Sequence, residues 1–126
     1  MNLVLQKPGS SNCGQCCVAM IAGLTRKQSC KKFGTKGVTT TKSVSRVLKK
    51  LGYQVNERLV SFRKESSLPD TCMLRLRFPK EVQRTGHWVV YHNGLIYCPS
   101  LGIYSYTELS TRDGVKCTSY LGFTAK

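Results

Sequence analysis

The ten residues from Cys13 to Ala22 (Cys-Gly-Gln-Cys-Cys-Val-Ala-Met-Ile-Ala) constrain the fold more than any other stretch, because they are apolar on nearly every side apart from Gln15. A helix of that composition needs neighbours all round and belongs in the middle of a domain. Both of its ends are marked. Lys7 to Asn12 (Lys-Pro-Gly-Ser-Ser-Asn) is a turn rich in backbone-shaping residues, and Gly23 is placed to stop the helix. A chain of 126 residues suits one domain, residues 1–126, built around it.

The remaining sequence supplies the neighbours. Residues 2–6 read as a short extended lead-in. A second helix is predicted from Thr25 to Phe33, with Thr25 and Gln28 as a capping box and Gly34 as its stop. A third is predicted from Thr41 to Leu51, where Val44, Val47, Leu48 and Leu51 recur at helical spacing ahead of Gly52. After Gly52 the pattern turns strand-like: Tyr53 to Val60, Cys72 to Phe78, His87 to His92, Leu95 to Cys98, and Val115 to Phe123 with an interruption. Asn93-Gly94 is a strong two-residue hairpin signal, since both central positions of that turn need positive φ. Helices first and an antiparallel sheet second define an α+β fold.

Charge narrows the partners. Twenty Lys and Arg oppose six Asp and Glu, a formal net charge of +14, and residues 1–56 contain no acid at all. Such a field favours acidic partners. Lys42, Arg46, Lys49 and Lys50 share the polar side of the third helix, where they are either a solvated face or a surface for nonspecific nucleic-acid contact. No nucleic-acid-binding motif accompanies them. The seven cysteines cannot all pair within one chain, and neither a secretory leader nor a membrane-spanning run is seen, so a cytoplasmic, reducing setting is expected. Cys17, Cys30, Cys72 and Cys117 are expected as small core residues, and His92, beside the hairpin turn, as a solvated one.

Three separated pieces carry chemistry: Gln6, then Asn12-Cys13-Gly14, then Gly86-His87-Trp88. A cysteine in the first turn of a buried helix sits at the positive end of the helix dipole, which favours its thiolate. Cys13 is thus a candidate nucleophile. A histidine opening a strand can face it as general base, and an upstream amide can donate to a developing oxyanion.

This order and spacing resemble the papain-like cysteine peptidases, in particular the double-glycine-leader peptidases of bacteriocin exporters and their free-standing phage and bacterial relatives. The matching residues are Gln6, Asn12-Cys13-Gly14, Val18-Ala19-Met20-Ile21, Gly86-His87-Trp88 and Tyr97-Cys98-Pro99, spread over roughly residues 3 to 104. The resemblance implies a papain-like fold and a peptide- or amide-cleaving hydrolase without metal or other cofactor, acting on a polypeptide substrate. It implies Cys13 as nucleophile, His87 as base and Gln6 as oxyanion-hole donor. Two departures follow. The interval from Gln6 to Cys13 is one residue longer than the resemblance leads one to expect, an excess one turn residue can absorb. The position that should hold an acid or amide to orient His87 is Cys98.

With Asn93-Gly94 as a two-residue loop, Val89 lies opposite Cys98 and His87 opposite Ser100, which puts His87, Val89, Tyr91, Ile96, Cys98 and Ser100 on one face. Cys98 is then a diagonal neighbour of His87, but a thiol is a poorer acceptor than a carboxylate. A slow enzyme is therefore expected, the alternative being an impaired papain-like scaffold that acts as a basic binding module. Cys13-Gly14-Gln15-Cys16 also resembles a redox motif, yet too few residues precede it to build the parallel framework such a motif needs. A zinc site from Cys13, Cys16, Cys98 and His87 lacks a second closely spaced ligand pair.

Overall fold

A computed structural model describes residues 1–56, 58–79, 86–112 and 114–125. Among the described residues four α-helices, α1 (Cys13–Ala22), α2 (Arg26–Phe33), α3 (Thr41–Lys50) and α4 (Tyr106–Ser110), accompany seven strands: β1 (Tyr53–Val55), β2 (Val60–Ser61), β3 (Thr71–Arg77), β4 (His87–His92), β5 (Leu95–Cys98), β6 (Gly102–Ser105) and β7 (Lys116–Ala125). The strands form one antiparallel sheet in the order β1-β7-β3-β4-β5-β6, with β2 also on β7.

The apolar decapeptide folds as its composition requires. In α1 every residue from Gly14 to Met20 is buried, and Gly23 closes the helix in the left-handed conformation at φ 71°. Its one polar residue, Gln15, is fully buried: Nε2 donates to the carbonyls of Thr35 (3.0 Å) and Gly37 (2.8 Å), while Oε1 has no partner among the described residues. These bonds tie the loop before α3 to the centre of the fold. The Thr25–Gln28 capping box opens α2, and a second box, Thr40 with Ser43, opens α3.

Two apolar clusters sandwich the sheet. On one face Cys17, Val18 and Met20 of α1 and Val44, Val47 and Leu48 of α3 pack on Met73, Trp88 and Leu121. The other face buries Cys72, Leu74, Val89, Ile96 and Cys98 beneath α4 and its flanking aromatics. The alternation of β4 thus sends Trp88 and Val90 to the helices and Val89 and Tyr91 to the far side. The hairpin register is the expected one, with Val90 opposite Tyr97 and His92 opposite Leu95. Asn93, at φ 49°, and Gly94, at φ 85°, make its turn.

Several expectations need correction. The expected strand Tyr53 to Val60 is two short strands, because residues 56 to 59 intervene on that side while only Leu121 and Gly122 intervene on β7; Glu57 lies outside the described residues. The interruption in the last strand is a bulge rather than a break. Arg75 pairs with Ser119 and Leu76 with Cys117, leaving Thr118 unpaired with its hydroxyl on the Arg75 carbonyl at 3.2 Å. His92 is half-buried and bonded to the Thr71 hydroxyl at 2.6 Å, not a free loop residue. Cys117 is only half-buried, whereas Cys17, Cys30 and Cys72 lie in the core.

The first turn of α1 meets the loop ahead of α3 without room to spare. A Cβ on Gly14 would fall on the Thr39 hydroxyl, and Thr39 is itself buried. Gly14→Ala should therefore destabilise the fold by about 1–3 kcal/mol, as overpacking does. Urea unfolding checks this, and Thr39→Ala in the same chain should return part of the loss.

Candidate active site

A cavity of about 420 Å³ opens where the start of α1 meets the start of β4, and Gln6, Cys13, Arg75, His87, Trp88 and Arg112 are among its lining residues. The residues singled out as nucleophile, base and oxyanion donor thus face a common space. Cys13 is held there by the buried helix behind it. Its N-cap, Asn12, makes no side-chain cap to the helix, so the backbone N–H groups of the first turn stay available. Asn12 instead turns its Oδ1 to the Ser10 hydroxyl at 3.0 Å and to the Cys16 thiol at 3.8 Å.

Gln6 is carried on the extended lead-in, where its own N–H bonds to the Pro99 carbonyl at 2.9 Å. Its Nε2 donates to the Ser10 carbonyl at 2.8 Å. That bond fixes the carboxamide and leaves one N–H of the amide uncommitted. Between Gln6 and Cys13 the chain makes a tight turn, Lys7 to Ser10, closed by Ser10 N–H on the Lys7 carbonyl at 3.0 Å. Pro8 and Gly9, with Gly9 at φ 77°, occupy its corners.

Cys98 lies where the hairpin register directs it. Its Sγ is 3.5 Å from His87 Nε2 and 3.2 Å from the Ser100 hydroxyl. The thiol therefore occupies the ring nitrogen that an orienting carboxylate would take. The consequence is chemical. A carboxylate accepts only, so it forces a proton onto Nε2 and leaves Nδ1 as the basic nitrogen; a thiol donates as well as accepts and fixes no tautomer. Phe78 packs on the same ring, with centroids 5.5 Å apart.

Electrostatics in the cavity differ from what the helix dipole alone suggests. Burial pushes the Cys13 thiol up, and this outweighs the groups that pull it down: the Trp88 backbone N–H, the Arg75 charge, and the N–H groups of Gly14 and Cys13 itself. Burial and the helix start therefore act in opposite directions on this thiol, and burial is the larger. His87 is pushed down to about 4, first by burial and then by the charges of Arg75 and Arg112. Its ring is therefore neutral at pH 7, the form a base needs but a weak base. The cation that favours the thiolate is Arg75.

Sequence reasoning missed Arg75. It sits on β3 opposite Trp88, with its guanidinium carbon 4.9 Å from the centroid of the indole ring. Gly86 is what makes the room, since a Cβ there would lie 2.6 Å from Arg75 Nε. The available signal was an arginine on the inward-facing side of a strand, in step with Met73 rather than with solvent.

Among the described residues no group of three or more His, Cys, Asp or Glu side chains is placed to hold a metal ion, and no helix is long and apolar enough to cross a membrane. Lys42, Arg46, Lys49 and Lys50 are exposed on α3 and border a shallow groove that shares no residue with the cavity.

A central helix packed on an antiparallel sheet, with Cys13 and His87 at their junction, makes an α+β fold. One solved structure with that fold is the peptidase domain of Streptococcus ComA, a bi-functional ABC transporter involved in a quorum sensing pathway. It superposes with a TM-score of 0.66 over 98% of this chain and 98% of that one, at 17% sequence identity. No family model matches the sequence, and no curated protein does.

The depressed His87 gives a pH dependence of stability whose sign can be fixed. An unfolded histidine titrates near 6.5, and the folded ring near 4, so between these values the unfolded chain binds a proton that the folded chain does not. Stability from this group is complete above pH 6.5 and is lost as the pH falls toward 4. Denaturant unfolding at pH 7 and pH 5 should differ by about 2 kcal/mol through this group, and His87→Gln should remove that difference.

Proposed function

We propose that the protein is a cysteine peptidase-like hydrolase that cleaves a peptide or amide bond with Cys13 as nucleophile and His87 as general base. One observation supports this above the others: Gln6, Cys13 and His87, separated by up to 81 positions in the chain, line a single cavity at the start of a buried helix.

In this scheme Cys13 attacks the substrate carbonyl while its proton passes to His87, forming a carbon–sulfur bond and an oxyanion. The Cys13 backbone N–H and the uncommitted N–H of Gln6 donate to that oxygen. Collapse breaks the carbon–nitrogen bond, and the proton on His87 leaves with the amine. Water then hydrolyses the thioester, giving up a proton to His87, and the free acid departs. Arg75 offsets the negative charge on sulfur until bond formation consumes it.

The same residues argue for slow turnover. A thiol pushed up and a histidine pushed down make the first proton transfer uphill, and Cys98 does little to raise the basicity of the ring. An acyl electrophile specific for cysteine should, at neutral pH, label Cys13, and labelling should vanish in Cys13→Ala and fall steeply in His87→Ala. Peptide mapping reads the site. Labelling spread evenly over the thiols defeats the proposal.

Cys98→Asp provides a directional check. A carboxylate at that position accepts from Nε2, fixes the tautomer and favours the imidazolium, so the His87 pKa should rise and turnover should increase about tenfold or more. Proton NMR of the two histidines and steady-state kinetics measure the two effects.

A second reading has its own support. Cys98 in the orienting position, together with the exposed bases Lys42, Arg46, Lys49 and Lys50, suits an impaired scaffold that binds acidic protein or nucleic acid. Diffuse labelling combined with salt-sensitive binding to polyanions would favour it.

A further inference from the structure

We propose that the cavity recognises a carboxylate on the bound polypeptide, seated by Arg75 and Arg112. This deepens the peptidase reading and rests on the same cavity being the peptide-binding cleft. Both arginines line it, both act electrostatically on the His87 ring, and Arg75 acts on the Cys13 sulfur as well. Among the described residues no acidic side chain lines the cavity and none forms an ion pair with either arginine. Of the three described acids, Glu65 accepts from the Tyr91 hydroxyl at 2.9 Å, Asp70 immediately precedes β3, and Glu108 lies in the short helix α4, bonded to Ser105.

Among the described residues the two cations therefore face at most one anion, the Cys13 thiolate, and that charge exists only transiently. Arg75 is half-buried and has lost part of its hydration, so an unopposed charge there is costly. A substrate carboxylate removes the imbalance. The two arginines are suited to divide the work: Arg75 lies deep, over Trp88, whereas Arg112 is exposed at the rim beside the Tyr104 hydroxyl, with donors left over for a carboxylate. Val38 and Leu101, each 59% exposed, border the same opening and offer apolar contact on either side of the anion. The favoured ligand is a peptide with one carboxylate among apolar side chains. That carboxylate belongs either to an internal Asp or Glu or to a free C-terminus.

Binding is measured on Cys13→Ala, so that no turnover is needed, with the fluorescence of Trp88, the only tryptophan in the chain, as the signal. The probes are three pentapeptides at near-physiological ionic strength. The first is Leu-Ala-Glu-Ala-Leu blocked at both ends, the second the same blocked peptide with Gln for Glu, and the third the Gln peptide with a free carboxyl end. The Glu peptide, or the peptide with the free carboxyl end, should bind roughly tenfold more tightly than the blocked Gln peptide. Which of the two does so identifies the source of the carboxylate. The preference should disappear in Arg112→Gln and persist in Arg46→Gln, a change in the same number of charges on α3. Equal binding of all three peptides, absence of binding, a preference that survives Arg112→Gln, or an equal loss in Arg46→Gln overturns the proposal. The two readings fail separately: carboxylate-dependent binding by a chain whose unsubstituted form never cleaves would end the peptidase reading alone, and cleavage indifferent to the carboxylate would end this one alone.

Discussion

The structure depends on the seating of the first turn of α1 against the start of β4. The Trp88 backbone N–H bonds to the Cys13 sulfur, while the Trp88 ring packs in the helix-side core. A single residue thereby joins the site to the packing. Because α1 is buried on all sides, its position is set by contacts with α2, α3 and the sheet together, and the sulfur has little freedom to wander. Precision of that kind is what a nucleophile needs, and here it comes from apolar packing rather than from a polar network around the thiol.

Placing the sulfur so deep has an electrostatic cost that the surrounding groups only partly offset. Burial disfavours both the thiolate and the imidazolium, so the ion pair that makes many thiols reactive is disfavoured twice. Arg75 works for the thiolate and against the imidazolium at the same time. Burial thus favours the neutral forms of both the thiol and the ring. The unusual position of Cys98 acts in the same direction, since it withholds the negative charge that would otherwise restore the balance at His87.

Much of this was legible in the sequence, and for identifiable reasons. Cys13 to Ala22 had to be buried because no side of it is polar, and Asn93-Gly94 fixed a register from which the approach of Cys98 to His87 could be derived. Thr25 with Gln28 announced a helix start through its own chemistry. Other features left no such trace. β6 is four residues long and α4 five, too few for a period to be seen, and Ile103 and Leu109 alone do not define a face. Within the candidate site, Gln6, Cys13, His87 and Cys98 were found through motif order. Arg75 was not, because its importance comes from a strand pairing with Trp88 and from the absent side chain of Gly86, neither of which is local in the chain.

The sheet order has a consequence for biogenesis. β7 is the last strand in the chain, yet it lies inside the sheet, between β1 and β3, and it pairs residue 125 with residue 53. β1 and β3 therefore lack their common partner until β7 has been made, and the loop-closure cost of joining residue 53 to residue 125 falls late in folding. The sheet beneath α1, and with it the cavity that Cys13 and His87 line, is completed by a segment remote from both in the chain.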